Sequence, residues 1–123
     1  MVKFVAAVRR KQGMSEEEFH RYWRDKHGPL VRSVPEFMRH VRRYVQSHTL
    51  ADAASIFPAG GGSFDGYAEL WFDDVEAVRR AFHEPRYLEV IRPDEPKFAD
   101  LASCVVSITE EVVIDPGRTD DVR

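Results

Sequence analysis

This sequence predicts an α+β sandwich on an antiparallel sheet, and three observations point to it. Segments of strand and helix periodicity follow one another as strand, helix, strand, strand, helix, strand. That order is the split β-α-β arrangement of a ferredoxin-like βαββαβ fold, with four antiparallel strands and both helices on one face. At 123 residues, 43% hydrophobic and 32% charged, the chain suits one globular domain with one core.

The first strand is Val2 to Arg9, rich in Val and Phe and closed by Gln12-Gly13. Ser15-Glu16-Glu17-Glu18 has the form of a capping box, with Ser15 as N-cap and Glu18 reaching back. In the helix that follows, Phe19, Tyr22 and Trp23 fall on one buried stripe. Gly28-Pro29 is expected to break or kink this helix just after His27, with a short turn through Leu30, Val31 and Val34 before Pro35. Arg39 to Leu50 reads as the second strand, with His40, Arg42, Tyr44, Gln46 and His48 on one face. Residues 51–65 read as a flexible, glycine-rich loop long enough to act as a lid or binding loop.

Gly66 to Phe72 is the third strand, with Ala68, Leu70 and Phe72 on one side and Tyr67, Glu69 and Trp71 on the other. Asp73 or Asp74 caps a helix from Val75 to His83, and Pro85 opens another from Arg86 to about Ile91. Asp94 to Leu101 is an acidic turn region containing Phe98, and Val105 to Ile114 is the fourth strand. Residues 1–114 thus form the single domain, and 115–123 a polar, flexible tail. With both helices on one face, the other sheet face has no cover within the chain. A second copy is the expected cover, giving a homodimer closed as an α/β barrel.

The net charge, 18 − 21 = −3, counts against a nucleic-acid partner. The charge is uneven: Lys3 to Arg43 is basic and the chain from Asp94 onward acidic. A basic first half suits an anionic substrate, but a solvated helix face is the simpler explanation and the one favoured. The single cysteine, Cys104, excludes an internal disulfide, so a reducing cytoplasm and an inert buried thiol are expected. Neither a signal peptide nor an apolar run of about 20 residues is present, so no membrane is expected.

The stretch Phe19-His20-Arg21-Tyr22-Trp23-Arg24-Asp25-Lys26-His27-Gly28-Pro29-Leu30 resembles the F-x-x-Y-W-x-x-x-H-x-P-L signature of the EthD family, in the dimeric α/β-barrel superfamily. Ala68 to Phe72 and the turn Asp94-Glu95-Pro96-Lys97-Phe98-Ala99-Asp100 match later landmarks, so the resemblance spans about residues 2–114. It implies the fold and the dimer. It also implies a cofactor-free chemistry, since fungal relatives dehydrate or decarboxylate polyketide rings. Related barrels include muconolactone isomerases and a methylmuconolactone methylisomerase with a histidine at the position of His27.

His27 is the first candidate for chemistry, as a base and acid near pH 6.5. A place at a helix C-terminus would raise its pKa through the helix dipole; the alternative is a cap packed on Pro29. Tyr22 is the candidate donor to an oxyanion, and Trp23 a pocket wall or simply core. Tyr44 and His48 approach His27 if their strand face meets the first helix, which makes His48 a catalytic candidate in a two-base site, one group removing a proton and the other returning it. Otherwise they lie in the dimer seam. Glu69, between Tyr67 and Trp71, is either an acid with a raised pKa or the partner of Arg42 or Arg43. Trp71 completes the substrate-binding set of Trp23, Tyr44 and Glu69. Asp25 reads as a surface charge, and His20 and His83 as exposed. No H-x-H, H-x₃-H or H-E-x-x-H spacing, glycine-rich phosphate loop or serine elbow is present, so no metal and no cofactor are expected.

The leading expectation is a cofactor-free acid–base enzyme (dehydratase, isomerase or decarboxylase) acting on a small hydrophobic cyclic or aromatic carbonyl or carboxylate. Two alternatives stay open. One is a non-catalytic binding or accessory protein for such a metabolite. The other is a haem-handling or oxygen-using member of the superfamily. An enclosed cleft with a second titratable group within hydrogen-bond reach of His27 separates the enzyme from the binder.

Overall fold

In the computed structural model, which describes residues 1–57 and 63–118, the expected element order is present with additions. The strands are β1 (Val2–Val8), β2 (Val41–His48), β3 (Gly66–Phe72) and β4 (Val105–Glu110). They form one antiparallel sheet in the order β2-β3-β1-β4. The helices α1 (Glu16–Tyr22), α2 (Gly28–Arg32), α3 (Pro35–Met38) and α5 (Val75–His83) supply one covering layer; α4 (Ala53–Ile56) is a short turn inside the expected loop. Residues 58–62 of that loop, and 119–123 of the expected tail, lie outside the described residues.

The alternation of the strands decides which face is core. Phe4 lies opposite Leu70 and Ile108, and Phe72 opposite Val2 and Val41. Leu70, Phe72 and Val41 are buried against Val31, Phe37, Val78 and Tyr87 from the covering layer. Lys3, Val5, Ala7, Arg43, Val45, Tyr67, Glu69 and Trp71 have the opposite parity and form the other face.

The capping box at α1 is present: Ser15 Oγ accepts from the Glu18 N–H, and Glu18 Oε1 accepts from the Ser15 N–H. Of the break or kink expected at Gly28-Pro29, the break does not occur, and one widened turn interrupts the regular helix. The chain instead passes from α1 through a π turn, Trp23–His27, directly into α2. There the Gly28 N–H reaches back five residues to the Trp23 carbonyl. A proline in regular α-helix clashes with the carbonyl four residues before it. One widened turn takes up that conflict and the helix continues. The same device recurs before Pro93: a π turn, Tyr87–Ile91, closes with the Arg92 N–H on the Tyr87 carbonyl and leads into a 3₁₀ stretch, Arg92–Lys97.

Two strand expectations are corrected. A bulge at Arg42 lets Val41 pair with Phe72 and Arg43 with Trp71. Val41 therefore shares the core face with Tyr44, whereas Arg42 turns out to pair with Asp73 and His40 bonds Glu84. The fourth strand stops at Glu110, short of Ile114; Val112, Val113 and Ile114 are 77%, 70% and 90% exposed. Among the described residues, no helix is long and apolar enough to cross a membrane.

Candidate active site

The two π turns deliver the two central groups. The first ends on His27, and the second leads through Arg92-Pro93 to Asp94. Both side chains are buried. His27 Nδ1 lies 2.9 Å from Asp94 Oδ2. Tyr22, just before the first π turn, donates its hydroxyl to Asp94 Oδ1 at 2.6 Å. Lys97 Nζ lies 3.6 Å from the same oxygen.

Burial pushes the Asp94 carboxyl up, but the hydrogen bonds from Tyr22 and His27 together with Lys97 outweigh it, and its pKa lies below the usual value. Asp94 is therefore a carboxylate at neutral pH. Burial pushes His27 below its ordinary pKa, against a smaller upward pull from Asp94. Burial and the carboxylate push Tyr22 up to about 12. The consequence is a neutral imidazole that donates Nδ1–H to Asp94 and keeps its lone pair on Nε2. The expected upward shift from a helix C-terminus is thus corrected in sign. The helix runs on into α2, no dipole ends at His27, and desolvation decides.

His27 lines a cavity of about 400 Å³ between the core face of the sheet and the covering layer. Trp23, Tyr44, Glu95, Phe98 and Cys104 line it too, among apolar side chains of β1 and β3. The Phe98 ring lies 4.6 Å from the imidazole. Glu95 accepts the Tyr87 hydroxyl at 2.8 Å, and burial holds its carboxyl above the usual range. Burial also raises the Tyr44 phenol, whose oxygen accepts from Gln46 Nε2 at 3.0 Å. Burial raises the Cys104 thiol, which bonds the Asp100 carbonyl at 3.2 Å. A thiol held protonated is a poor nucleophile.

The sequence-derived candidates separate into four groups. His27, Trp23 and Tyr44 meet at the cavity. Tyr22 stands behind it, with its hydroxyl spent on Asp94 and not presented to an oxyanion. His48 does not line the cavity. Its ring packs 4.6 Å from Trp23, and its Nδ1 lies 2.7 Å from His20 Nδ1. It lines a separate groove with Arg24, Arg32 and Gln46, and Tyr44 stands between this groove and the cavity, lining both. His20, expected to be exposed, is half-buried by this contact. Glu69 and Trp71 are corrected outright, because the pleat sends both to the opposite sheet face. There Glu69 pairs with Lys3 at 3.4 Å, not with an arginine, and Trp71 Nε1 donates to Glu111.

Asp94, Glu95 and Phe98 were missed as site residues, although all three lie in the acidic turn that the resemblance marked. The available signal was chemical: two adjacent carboxylates between prolines, beside apolar Val90 and Ile91. Among the described residues, no group of three or more His, Cys, Asp or Glu side chains could hold a metal ion.

Comparison with known proteins agrees with this architecture. The EthD domain model matches residues 11–102. The decarboxylase nsrE of Aspergillus novofumigatus is 31% identical, over 93% of this chain and 81% of its own. The conidial pigment biosynthesis dehydratase EthD of Metarhizium robertsii is 30% identical, over 80% of this chain and 74% of its own. An EthD-family protein of Bacillus halodurans superimposes with a TM-score of 0.66 at 23% identity, covering 91% of this chain and 99% of its own. A dimeric protein of ferredoxin-like fold from Bacteroides fragilis gives 0.62 at 12% identity, covering 89% and 95%. With residues 11–102 of its 123 matched by the family model, this chain belongs to the EthD domain family.

Proposed function

We propose that this protein is a cofactor-free acid–base lyase, a dehydratase or decarboxylase, acting on a small hydrophobic cyclic or aromatic carbonyl or carboxylate. The observation that carries the reading is the His27–Asp94 pair at the wall of an apolar cavity. A second titratable group in hydrogen-bond contact with His27 favours an enzyme over a binder. The decarboxylase and dehydratase relatives support the lyase class.

In a dehydration, His27 Nε2 removes the proton next to the substrate carbonyl. Tyr44 donates to the developing enolate oxygen, and Asp94 stabilises the imidazolium. The β-hydroxyl then leaves as water with the proton returned by Nε2. In a decarboxylation, neutral Nε2 first takes the proton of the substrate's carboxylic acid. The electrons of the breaking carbon–carbon bond are taken up on the carbonyl oxygen at Tyr44 as carbon dioxide leaves, and the imidazolium returns that proton to the carbon. The apolar lining strengthens both interactions by keeping water away.

The sheet face opposite the cavity, centred on Val5 and Val45, supports a homodimer as part of the same reading. The activity test is a panel of aromatic β-keto acids and cyclic β-hydroxyketones, scored for loss of carbon dioxide or water. The expected result is turnover that falls by at least about 10²-fold in His27→Ala, the scale of a positioned acid–base group. Turnover unchanged in that variant overturns the assignment.

A further inference from the structure

Five polar groups run in a line from the α1 surface to the cavity, and their hydrogen-bond directions are all determined by one of them. The fixed point is the Trp23 carbonyl, which can only accept. Gln46 meets it at 2.9 Å, so the Gln46 atom there is the amide nitrogen, Nε2. The second Nε2 proton lies on Tyr44 Oη at 3.0 Å. The Gln46 oxygen must then face His48 Nε2, 2.9 Å away, and that nitrogen must carry the proton. Burial first, then the neighbouring His20 and Arg24, lower the His48 pKa, so the ring is neutral and its Nδ1 accepts from His20 Nδ1–H at 2.7 Å.

The consequence falls on Tyr44. A phenolic proton lies near the ring plane on one side of the oxygen or the other. Tyr44 lines both the cavity and the second groove, whereas Gln46 lines only the groove. Gln46 occupies the groove side as a donor, so the proton takes the other. No acceptor among the described residues takes that proton. We infer that Gln46 is a positioning residue that fixes Tyr44 as a hydrogen-bond donor toward the cavity, so that the site selects ligands presenting a carbonyl or carboxylate oxygen to Tyr44. This deepens the lyase reading and rests on it for the site. His27 offers a base with its direction set by Asp94, and Tyr44 a donor with its direction set by Gln46.

The test is a binding experiment that needs no turnover, so its outcome is separate from that of the lyase reading. The probes are acetophenone and α-methylstyrene, which have nearly the same shape and differ in whether oxygen or methylene faces the site. Affinities are read by ligand-observed NMR. Wild type is expected to prefer acetophenone by about 2- to 12-fold, the scale of one net hydrogen bond. Tyr44→Phe should erase the preference.

Gln46→Glu is the decisive variant. Its carboxylate accepts the Tyr44 proton and reverses the line, so the preference should vanish while α-methylstyrene affinity stays within twofold. Gln46→Met, which can neither donate nor accept strongly, should reduce the preference without reversing it, and serves if the glutamate variant fails to fold. A merely structural role for Gln46 moves both probes together. Equal loss for both probes, an undiminished acetophenone preference in either Gln46 variant that folds, or no acetophenone preference in wild type would each overturn the inference.

Discussion

His27 Nδ1 and Asp94 Oδ2 lie 2.9 Å apart although 67 positions separate them in the chain. Each is placed by a π turn that precedes a proline. A carboxylate on Nδ1 leaves Nε2 as the basic nitrogen, and this divides the labour between the two ring atoms.

Asp94→Asn tests that division. The asparagine keeps the shape but loses the negative charge, and its amide can present a donor to Nδ1 in place of an acceptor. Turnover is expected to fall by about 10²- to 10⁴-fold. The acidic limb of the rate profile moves to lower pH, because Asp94 is the influence that pulls the His27 pKa upward. Stopped-time assays across pH 4–8 on wild type and variant check both parts. A limb that moves upward contradicts the assignment.

Stability should also depend on acid in a defined sense. Folded His27 has a pKa below the ordinary 6.5, so the unfolded chain binds the proton more readily. His27 therefore costs the fold nothing above about pH 6.5 and destabilises it progressively as pH falls from there toward its lowered value. Asp94, also lowered, withdraws its contribution only as pH falls below its ordinary 3.8. Urea midpoints at pH 7 and pH 5 should fall in wild type. His27→Gln should show a smaller fall over that interval. An equal fall in both proteins assigns the acid sensitivity elsewhere.

How much of this was legible in the sequence differs between the fold and the site. The order of strands, the capped helices and the alternation of β3 follow from local periodicity, and each is present. His27 stood out because a titrating ring closed an aromatic helix motif. Its partner did not, because nothing local in residues 91–95 says which element they will face. The π turns were illegible for a related reason. Gly28-Pro29 carries a stop signal, and only packing of the following Val31 and Val34 into the core favours continuing over stopping. Glu69 and Trp71 were read as site residues on composition alone, whereas the pleat sends them to the wrong face. The bulge at Arg42 leaves no mark in a strand of mostly polar residues.

Gly66 supplies a prediction about the cavity wall. A Cβ there would lie against Trp23 Cζ3 inside contact distance and 2.8 Å from the Ser47 carbonyl. The indole rests on this backbone and is itself fully buried. Gly66→Ala should therefore cost about 1–3 kcal/mol, the scale of an overpacked core, read as a lower denaturation midpoint. Because Trp23 also lines the cavity, affinity for acetophenone should fall with it. An unchanged midpoint would show that the indole moves aside freely.

Val5→Arg tests the homodimer without touching the cavity. Val5 lies on a central strand with its side chain on the face opposite His27, beside Glu69 and Ser107 in the register. In a monomer this face meets water, and an arginine there has Glu69 as a neighbour, so the fold should tolerate it with a change within about 0.5 kcal/mol. In a face-to-face dimer the same position is central. A standard interface buries roughly 800 Å² on each partner, and its centre is depleted of charge. Two arginines brought together there by the two-fold axis should drive the equilibrium to monomer. Sedimentation velocity should show a dimer for wild type and a monomer for Val5→Arg, with unchanged circular dichroism. A wild-type monomer, or a variant that stays dimeric, removes this face as the interface.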